Sequence, residues 1–173
     1  VDFYKLRALA PTLIVASIGL LLAVLVLGRA ANGARRWISI GPAAFQPSEL
    51  AKLALAVWAA SYLARRRAPR TLGELWRPIG VLTMVFCGLI LVEPDLGTAI
   101  ALVAMLAAML LVAGTPGRTL AGGLGIAATL GLLAIWFEPY RRARIFSFLN
   151  PWQDAQGAGF QTVQSMIAIG SGG

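Results

Sequence analysis

Three polar clusters interrupt an otherwise apolar chain, and each carries residue types that can do chemistry. The first is Asn32-Gly33-Ala34-Arg35-Arg36-Trp37, followed by Phe45-Gln46-Pro47-Ser48-Glu49-Leu50-Ala51-Lys52. Arginine forks grip phosphate oxygens, and a helix N-terminus presents unbonded N–H groups to anions. Arg35 and Arg36, ahead of a helix opening at Pro47-Ser48, therefore suit an anionic ligand. Ser48 is the expected N-cap, with Glu49 in the first turn. Glu49 and Lys52, three apart, share a helix face. They are expected to pair toward the bundle interior, because an unpaired charge in hydrocarbon costs about 2.5–3.5 kcal/mol on insertion scales. The same stretch also reads as an interfacial loop with Trp37 in an aromatic belt and a self-satisfied ion pair.

The second cluster is Glu93-Pro94-Asp95, set between two apolar runs. Carboxylates at membrane depth are costly and usually face a cavity or a partner. Asp95 ahead of Leu96-Gly97-Thr98 also fits a helix N-cap, and the two roles are compatible. The third is Asn150-Pro151-Trp152-Gln153-Asp154, then Gly157, Gly159, Phe160, Gln161 and Gln164-Ser165. By spacing alone, Asp154 in a Gly-rich loop is ordinarily a turn residue.

The elements that hold these clusters follow from composition. Of 173 residues, 58% are hydrophobic and 13% charged, against about 25% charged in a soluble domain. Mean hydropathy is +0.77. Such a chain cannot cover a globular surface with polar groups, and the membrane is the solvent that suits it. With no histidine, His-dependent nucleophiles, bases and metal sites are excluded. Cys87, the single cysteine, excludes an intrachain disulfide and Cys-cluster metals, and within MVFCGLIL it reads as a buried structural thiol. The net charge of +8 does not indicate nucleic acid. The basic residues sit in short blocks between apolar runs, as membrane flanks do, with no aromatic-basic stripe.

Uncharged runs predict an all-α polytopic membrane protein with about five transmembrane helices, near residues 8–28, 48–64, 78–92, 96–114 and 119–137, in a single domain. The first run has no small-residue cleavage site and is read as a span, not a signal peptide. A large loop, residues 138–173, follows the fifth span. Residues 29–46 read as a polar connection with an Asn32-Gly33 turn, and residues 65–77 as a basic loop with five arginines. This alternation puts 1–7, 65–77 and 115–118 on one side, and 29–49, 93–95 and the long loop on the other. The first side holds eight Lys/Arg and the second seven, so the positive-inside rule assigns the first to the cytoplasm by a narrow margin. Five of the seven acids (Glu49, Glu93, Asp95, Glu138 and Asp154) join the basic residues of the second side. A mixed polar cluster at an outer membrane face points to a site for a polyanionic ligand.

Taken together, NGARRW, FQPSELAK, EPDLGTA and NPWQD with the following GFQ and IAIGSGG resemble, in order and spacing, the SEDS family of bacterial cell-wall membrane proteins, the FtsW/RodA/SpoVE type. VEPDLGTA, EPYR and PW-x-D look most like the division branch. The resemblance covers essentially the whole chain. It implies an internal piece, roughly helices three to seven of a fold of about ten, with the long loop external and the protein multi-pass in the bacterial inner membrane. The implied activity is an inverting peptidoglycan glycosyltransferase that polymerises lipid II during division or elongation. The implied partners are lipid II, a class B penicillin-binding transpeptidase and other divisome or elongasome membrane proteins. A lipid II flippase or a non-catalytic scaffold for the transpeptidase is the alternative.

By that resemblance the essential acid of the external loop maps onto Asp154, although Ala155 stands where proline usually follows it and Phe160 where tyrosine is common. Arg35, Arg36, Glu49, Lys52, Glu93, Asp95, Trp152, Gln161 and Gln164 are the candidate substrate contacts. The chemistry needs a base for the acceptor hydroxyl and a stabiliser for the departing pyrophosphate. A carboxylate serves as the first, and arginine, lysine or a divalent cation, Mg or Mn, as the second.

Overall fold

The computed structural model describes residues 3–31, 34–40, 43–139, 141–142, 152, 156 and 159–172. The chain divides into two compact units, Val1–Ile126 and Ala127–Gly173.

The first unit opens with α1 (Phe3–Leu27). Ala10, Ile14, Ser17, Leu21 and Val24 form its buried stripe, at the three- and four-residue spacing of one helix face. The opposite face is apolar too, with Leu9, Val15, Leu22 and Val26 exposed. A helix apolar all round belongs in lipid. The chain then turns back through a sheet in place of the expected irregular connection. Strands β1 (Arg29–Ala31), β2 (Ala34–Ile40) and β3 (Ala43–Phe45) pair antiparallel in that order. Arg29 lies opposite Trp37 and Ile38 opposite Phe45, with a bulge between Arg29 and Ala30. Trp37, Ile38 and Ile40 are the aromatic and β-branched types that favour strands. The Asn32-Gly33 pair is the usual signal of a two-residue hairpin. Two short excursions at an interface satisfy their backbone groups best by pairing with each other.

Helix α2 (Pro47–Leu63) returns beside α1. Its N-cap is Gln46, not the expected Ser48. Proline at the first helical position sets φ for the helix and has no N–H to leave unbonded, so the boundary falls one residue before it. Ser48 is instead fully buried within the first turn. The buried side of α2 is small, with Ala51, Ala54 and Ala59 around Leu55. Small residues let membrane helices approach closely where apolar side chains gain little from leaving lipid. Ile14 and Leu21 of α1 meet this face in one core with Phe86, Ile90, Ala99, Leu102 and Leu106.

The third helical stretch begins earlier than expected, at residue 72 and not 78. It consists of α3 (Leu72–Leu75), a kink within Trp76–Gly80, and α4 (Val81–Val92). Thr71 caps it by accepting from the Glu74 N–H at 3.3 Å, while the Arg70 N–H donates to the Glu74 carboxylate at 2.7 Å. Thr-x-x-Glu is a start signal that the arginine-rich surroundings obscured. Pro78 would have argued against a helix here. The helix breaks just before it, with Arg77 extended at φ −116° and ψ 118°, as the residue before a proline tends to be, and α4 resumes beyond the kink.

Helix α5 (Leu96–Val112) ends in a Schellman turn. Gly114 has φ +89°, its N–H donates to the Leu111 carbonyl, and the Thr115 N–H donates to the Leu110 carbonyl. Helix α6 (Gly117–Trp136) follows. Its start is tied to the basic loop, since the Thr119 hydroxyl donates to the Arg70 carbonyl. Gly122 and Gly123 leave room for Leu72 and Leu75, whose methyls would lie 3.0 and 2.7 Å from a Cβ there. The stretches Arg7–Leu27, Leu72–Val92 and Gly117–Trp136 are long and apolar enough to cross a membrane, and Leu96–Val112 is a shorter apolar helix. The second unit contains a turn at Glu138, whose carbonyl accepts from the N–H groups of Arg141 and Arg142, and helix α7 (Phe160–Gly170).

Because Gly114 holds a left-handed backbone, Gly114→Val should cost about 1–2 kcal/mol. Gly117→Ala, at a helix start with open space around it, should be nearly neutral. Thermal unfolding in detergent, comparing the two variants, checks the difference.

Candidate functional site

The polar residues of the first unit meet where α2 and α5 begin. Asp95 caps α5 by accepting from the Thr98 N–H on Oδ1 at 3.1 Å. Its other oxygen accepts from the Thr98 hydroxyl at 2.8 Å and from Gln46 Nε2 at 3.0 Å. The last bond spans 49 positions in sequence and joins the N-cap residues of two helices. Asp95 is 8% exposed, so these bonds form largely out of water, where charge-assisted bonds are strong and loss of a partner is costly. Both proposed roles of Asp95 thus have a physical basis in one side chain, which caps its own helix and reaches a second element.

Glu93 is fully buried two residues earlier. At that depth a carboxylate is retained only if its surroundings compensate the lost hydration. The Glu93 and Asp95 N–H groups both donate to the Ile90 carbonyl, at 3.2 Å each, which turns the chain tightly between α4 and α5.

Glu49 and Lys52 form the expected ion pair, with Nζ 2.8 Å from Oε2. Glu49 is 57% exposed and Lys52 29%, so the pair does not point into the core of this unit. The reason is the helix phase. Pro47, Ser48, Ala51 and Leu55 occupy the buried side of α2, which turns Glu49 to the opposite side. The pair lies near the helix start, where a carboxylate also meets the positive end of the dipole.

Arg35 and Arg36 lie on β2, with Arg35 in register with Ala30 of β1. The sheet and the α2 start are consecutive in the chain, so the arginine-bearing strand, Gln46, Asp95 and the Glu49–Lys52 pair belong to one end of the bundle. In the second unit Trp152 is exposed, and α7 carries Gln161 and Gln164, the latter exposed. There the Arg141 guanidinium donates to the Ala134 carbonyl at 2.9 Å, and Arg142 lies 5.8 Å from the centre of the Trp136 ring. Asp154 lies outside the described residues. Among the described residues, no group of three or more His, Cys, Asp or Glu side chains is placed to hold a metal ion.

Gln46 and Thr98 are the two site residues that the sequence did not single out. Thr98 sits at the third position after a capping aspartate, a local signal. For Gln46 no local signal exists, since its partner is a helix away.

Apolar helices crossing back and forth, with their polar residues gathered at the helix ends, define a multi-pass membrane protein. The model of the FtsW/RodA/SpoVE family, described as cell cycle protein, matches residues 1–173, and the chain belongs to this family. It is 42% identical over 169 residues to a probable peptidoglycan glycosyltransferase FtsW of Nitrosococcus halophilus, covering 95% of this chain and 43% of that protein. It is 44% identical over 156 residues to the FtsW so named in Acinetobacter baylyi, covering 88% and 39%. Among solved structures, one reported for the structural coordination of polymerization and crosslinking by a peptidoglycan synthase complex matches with a TM-score of 0.78 and 42% identity, over 100% of this chain and 52% of that one. The Thermus thermophilus rod shape determining protein RodA matches with a TM-score of 0.61 and 39% identity, over 75% and 43%. The chain therefore spans about half, or less, of the length of these relatives.

The Gln46–Asp95 bond predicts a measurable coupling. Asp95→Asn keeps a capping oxygen but sets an NH2 against the donors that Oδ2 receives, so it should cost less than Asp95→Ala, which removes a cap worth about 0.5–2 kcal/mol together with the cross-helix bond. In a double-mutant cycle with Gln46→Leu, the unfolding free energies of Gln46→Leu and Asp95→Ala should fail to add by about 0.5–3 kcal/mol.

Proposed function

We propose that the protein carrying this chain is an inverting peptidoglycan glycosyltransferase of the bacterial inner membrane, which polymerises lipid II into glycan strands on the outer side. The observation that carries the reading is 40–44% identity, over most of the chain, to proteins named peptidoglycan glycosyltransferase FtsW. The geometry is in keeping with it. Two helix N-termini and a strand with adjacent arginines share one end of the bundle, an arrangement suited to a pyrophosphate.

In this reading Asp154 is the catalytic base. It takes the proton from the acceptor 4-hydroxyl as that oxygen bonds to the anomeric carbon of the donor. The bond from that carbon to the pyrophosphate breaks in the same displacement, and its electron pair leaves with the prenyl pyrophosphate. One displacement inverts the anomeric centre and requires no covalent sugar intermediate. Arg35 and Arg36 bind the pyrophosphate. Trp152 stacks on a sugar, and Gln161 and Gln164 contact the saccharide, with Gly157 and Gly159 letting the backbone come close. Holding both lipid-linked substrates in one membrane plane turns a dilute encounter into an oriented one. A divalent cation would add charge at the leaving group.

A flippase needs a continuous polar path through the membrane. Among the described residues the buried polar side chains are Ser17, Ser48, Glu93, Asp95, Thr115 and Thr119, and only Ser17 lies in mid-helix. That distribution favours chemistry at a membrane face over transport. A class B penicillin-binding transpeptidase is the proposed partner, in keeping with the structural match to a chain of a peptidoglycan synthase complex.

Purified full-length protein given lipid II should form glycan strands, and Asp154→Asn should lower the rate by about 10²–10⁴-fold. Near-normal turnover in folded Asp154→Asn protein ends the catalytic assignment, because asparagine still serves a turn. Arg35→Ala combined with Arg36→Ala should weaken lipid II binding with the melting temperature unchanged.

A further inference from the structure

At the end of the bundle away from the Gln46–Asp95 bond, α2 and α5 flank an open groove of about 490 Å³. Its walls are Ala60, Leu63 and Ala64 on one side and Ala108, Met109 and Val112 on the other, with no polar side chain among the lining residues. The chain leaves α2 directly into Arg65, Arg66 and Arg67, all exposed. Tyr62 stacks on Trp58 with ring centres 5.3 Å apart, and Arg66 lies 5.2 Å from the centre of the Tyr62 ring. Trp58 and Tyr62 lie on the side of α2 that carries Leu55 and Ala59, so this stack holds the Arg66 guanidinium at the helix end on the side away from Ala60 and Ala64. Among the described residues no carboxylate is within ion-pairing distance of the three arginines, and the nearby Glu74 carboxylate accepts from the Arg70 N–H.

We propose that this groove binds an anionic phospholipid, with an acyl chain between the α2 and α5 walls and the phosphate at the arginine run that follows α2, on Arg65 and Arg67. The two halves need one ligand. Inside a bilayer a dry groove between helices is filled by hydrocarbon, and alanines leave space for a chain that leucines would close. The C-terminal ends of α2 and α5 carry partial negative charge and would repel a phosphate on their own. The arginine run reverses that field, and basic pockets between membrane helices are recurrent anionic headgroup sites. A free phosphate would use only the arginines, and a zwitterionic lipid would draw little from them. The site is distinct from the proposed saccharide site and does not depend on that reading.

The test uses full-length protein stripped of lipid in detergent. Native mass spectrometry follows titration with dioleoylphosphatidylglycerol or with dioleoylphosphatidylcholine. Wild type should prefer the anionic lipid by about tenfold or more. The triple change Arg65→Gln, Arg66→Gln, Arg67→Gln should remove the preference, the matching triple change to lysine should keep most of it, and glycerol phosphate should not compete. On unaltered protein, phosphatidylglycerol with a diazirine in its acyl chain should label the segments around Leu63 and Met109. Equal binding of both lipids, a preference that survives the glutamine changes, or labelling confined to other segments overturns the proposal. The last result would mean that the groove is filled by another part of the protein.

Discussion

The hydrogen bond from Gln46 to Asp95 joins the two helix starts around which the polar end is organised. Both partners are N-cap residues, so one contact fixes the ends of α2 and α5 at the same level. Each helix has 17 residues, about 25 Å at 1.5 Å per residue. Two helices of equal length, level at their starts and running in the same sense, carry their chain ends to the same end of the bundle. The sheet that leads into α2 and the turn that leads into α5 are thereby held at one end. The basic loop and the Schellman turn are held at the other, where Thr119 bonds to Arg70.

That constraint matters because packing alone gives membrane helices little sense of register. Their outer faces are as apolar as their inner ones, as Val15 and Val26 on α1 and Ile100 on α5 show. Sliding one helix past another changes hydrocarbon contacts for other hydrocarbon contacts. A capped carboxylate with a cross-helix partner does not tolerate such a slide, since a shift would leave a nearly buried charge without its bonds. The alanines of α2 and Phe86 of α4 then fill a core whose alignment is already set.

The two ends of the bundle differ in chemistry for the same reason. Helix N-termini present N–H groups, and helix C-termini present carbonyls. At the first end the positive dipoles, Lys52 and the arginine-bearing strand act in the same sense, in keeping with a polyanionic substrate. At the second end the dipoles oppose an anion, and a run of arginines is required before one can be held there. Charge counts taken by side nearly balance, which is why net charge says little about orientation here. What differs is how the charges sit relative to helix ends.

The sequence by itself determined that the chain is an α-helical multi-pass membrane protein, that Asp95 caps a helix and that Glu49 pairs with Lys52. Each of these rests on contacts within a few residues or on the cost of charge in hydrocarbon, and both can be read along the chain. The family, too, was visible in four motifs whose order carries the information. The hairpin strands at 29–45 were missed because they are stabilised by pairing between segments too short to show a period. The early helix start at Leu72 was missed because the spans were drawn on uncharged runs, and Glu74 and Arg77 lie within its first turns. Only the tertiary structure decided that Gln46 reaches Asp95, that the buried phase of α2 leaves Glu49 outside the core, and that the ends of α2 and α5 frame a groove. These depend on which faces meet across 49 residues of chain, and no local rule holds that information.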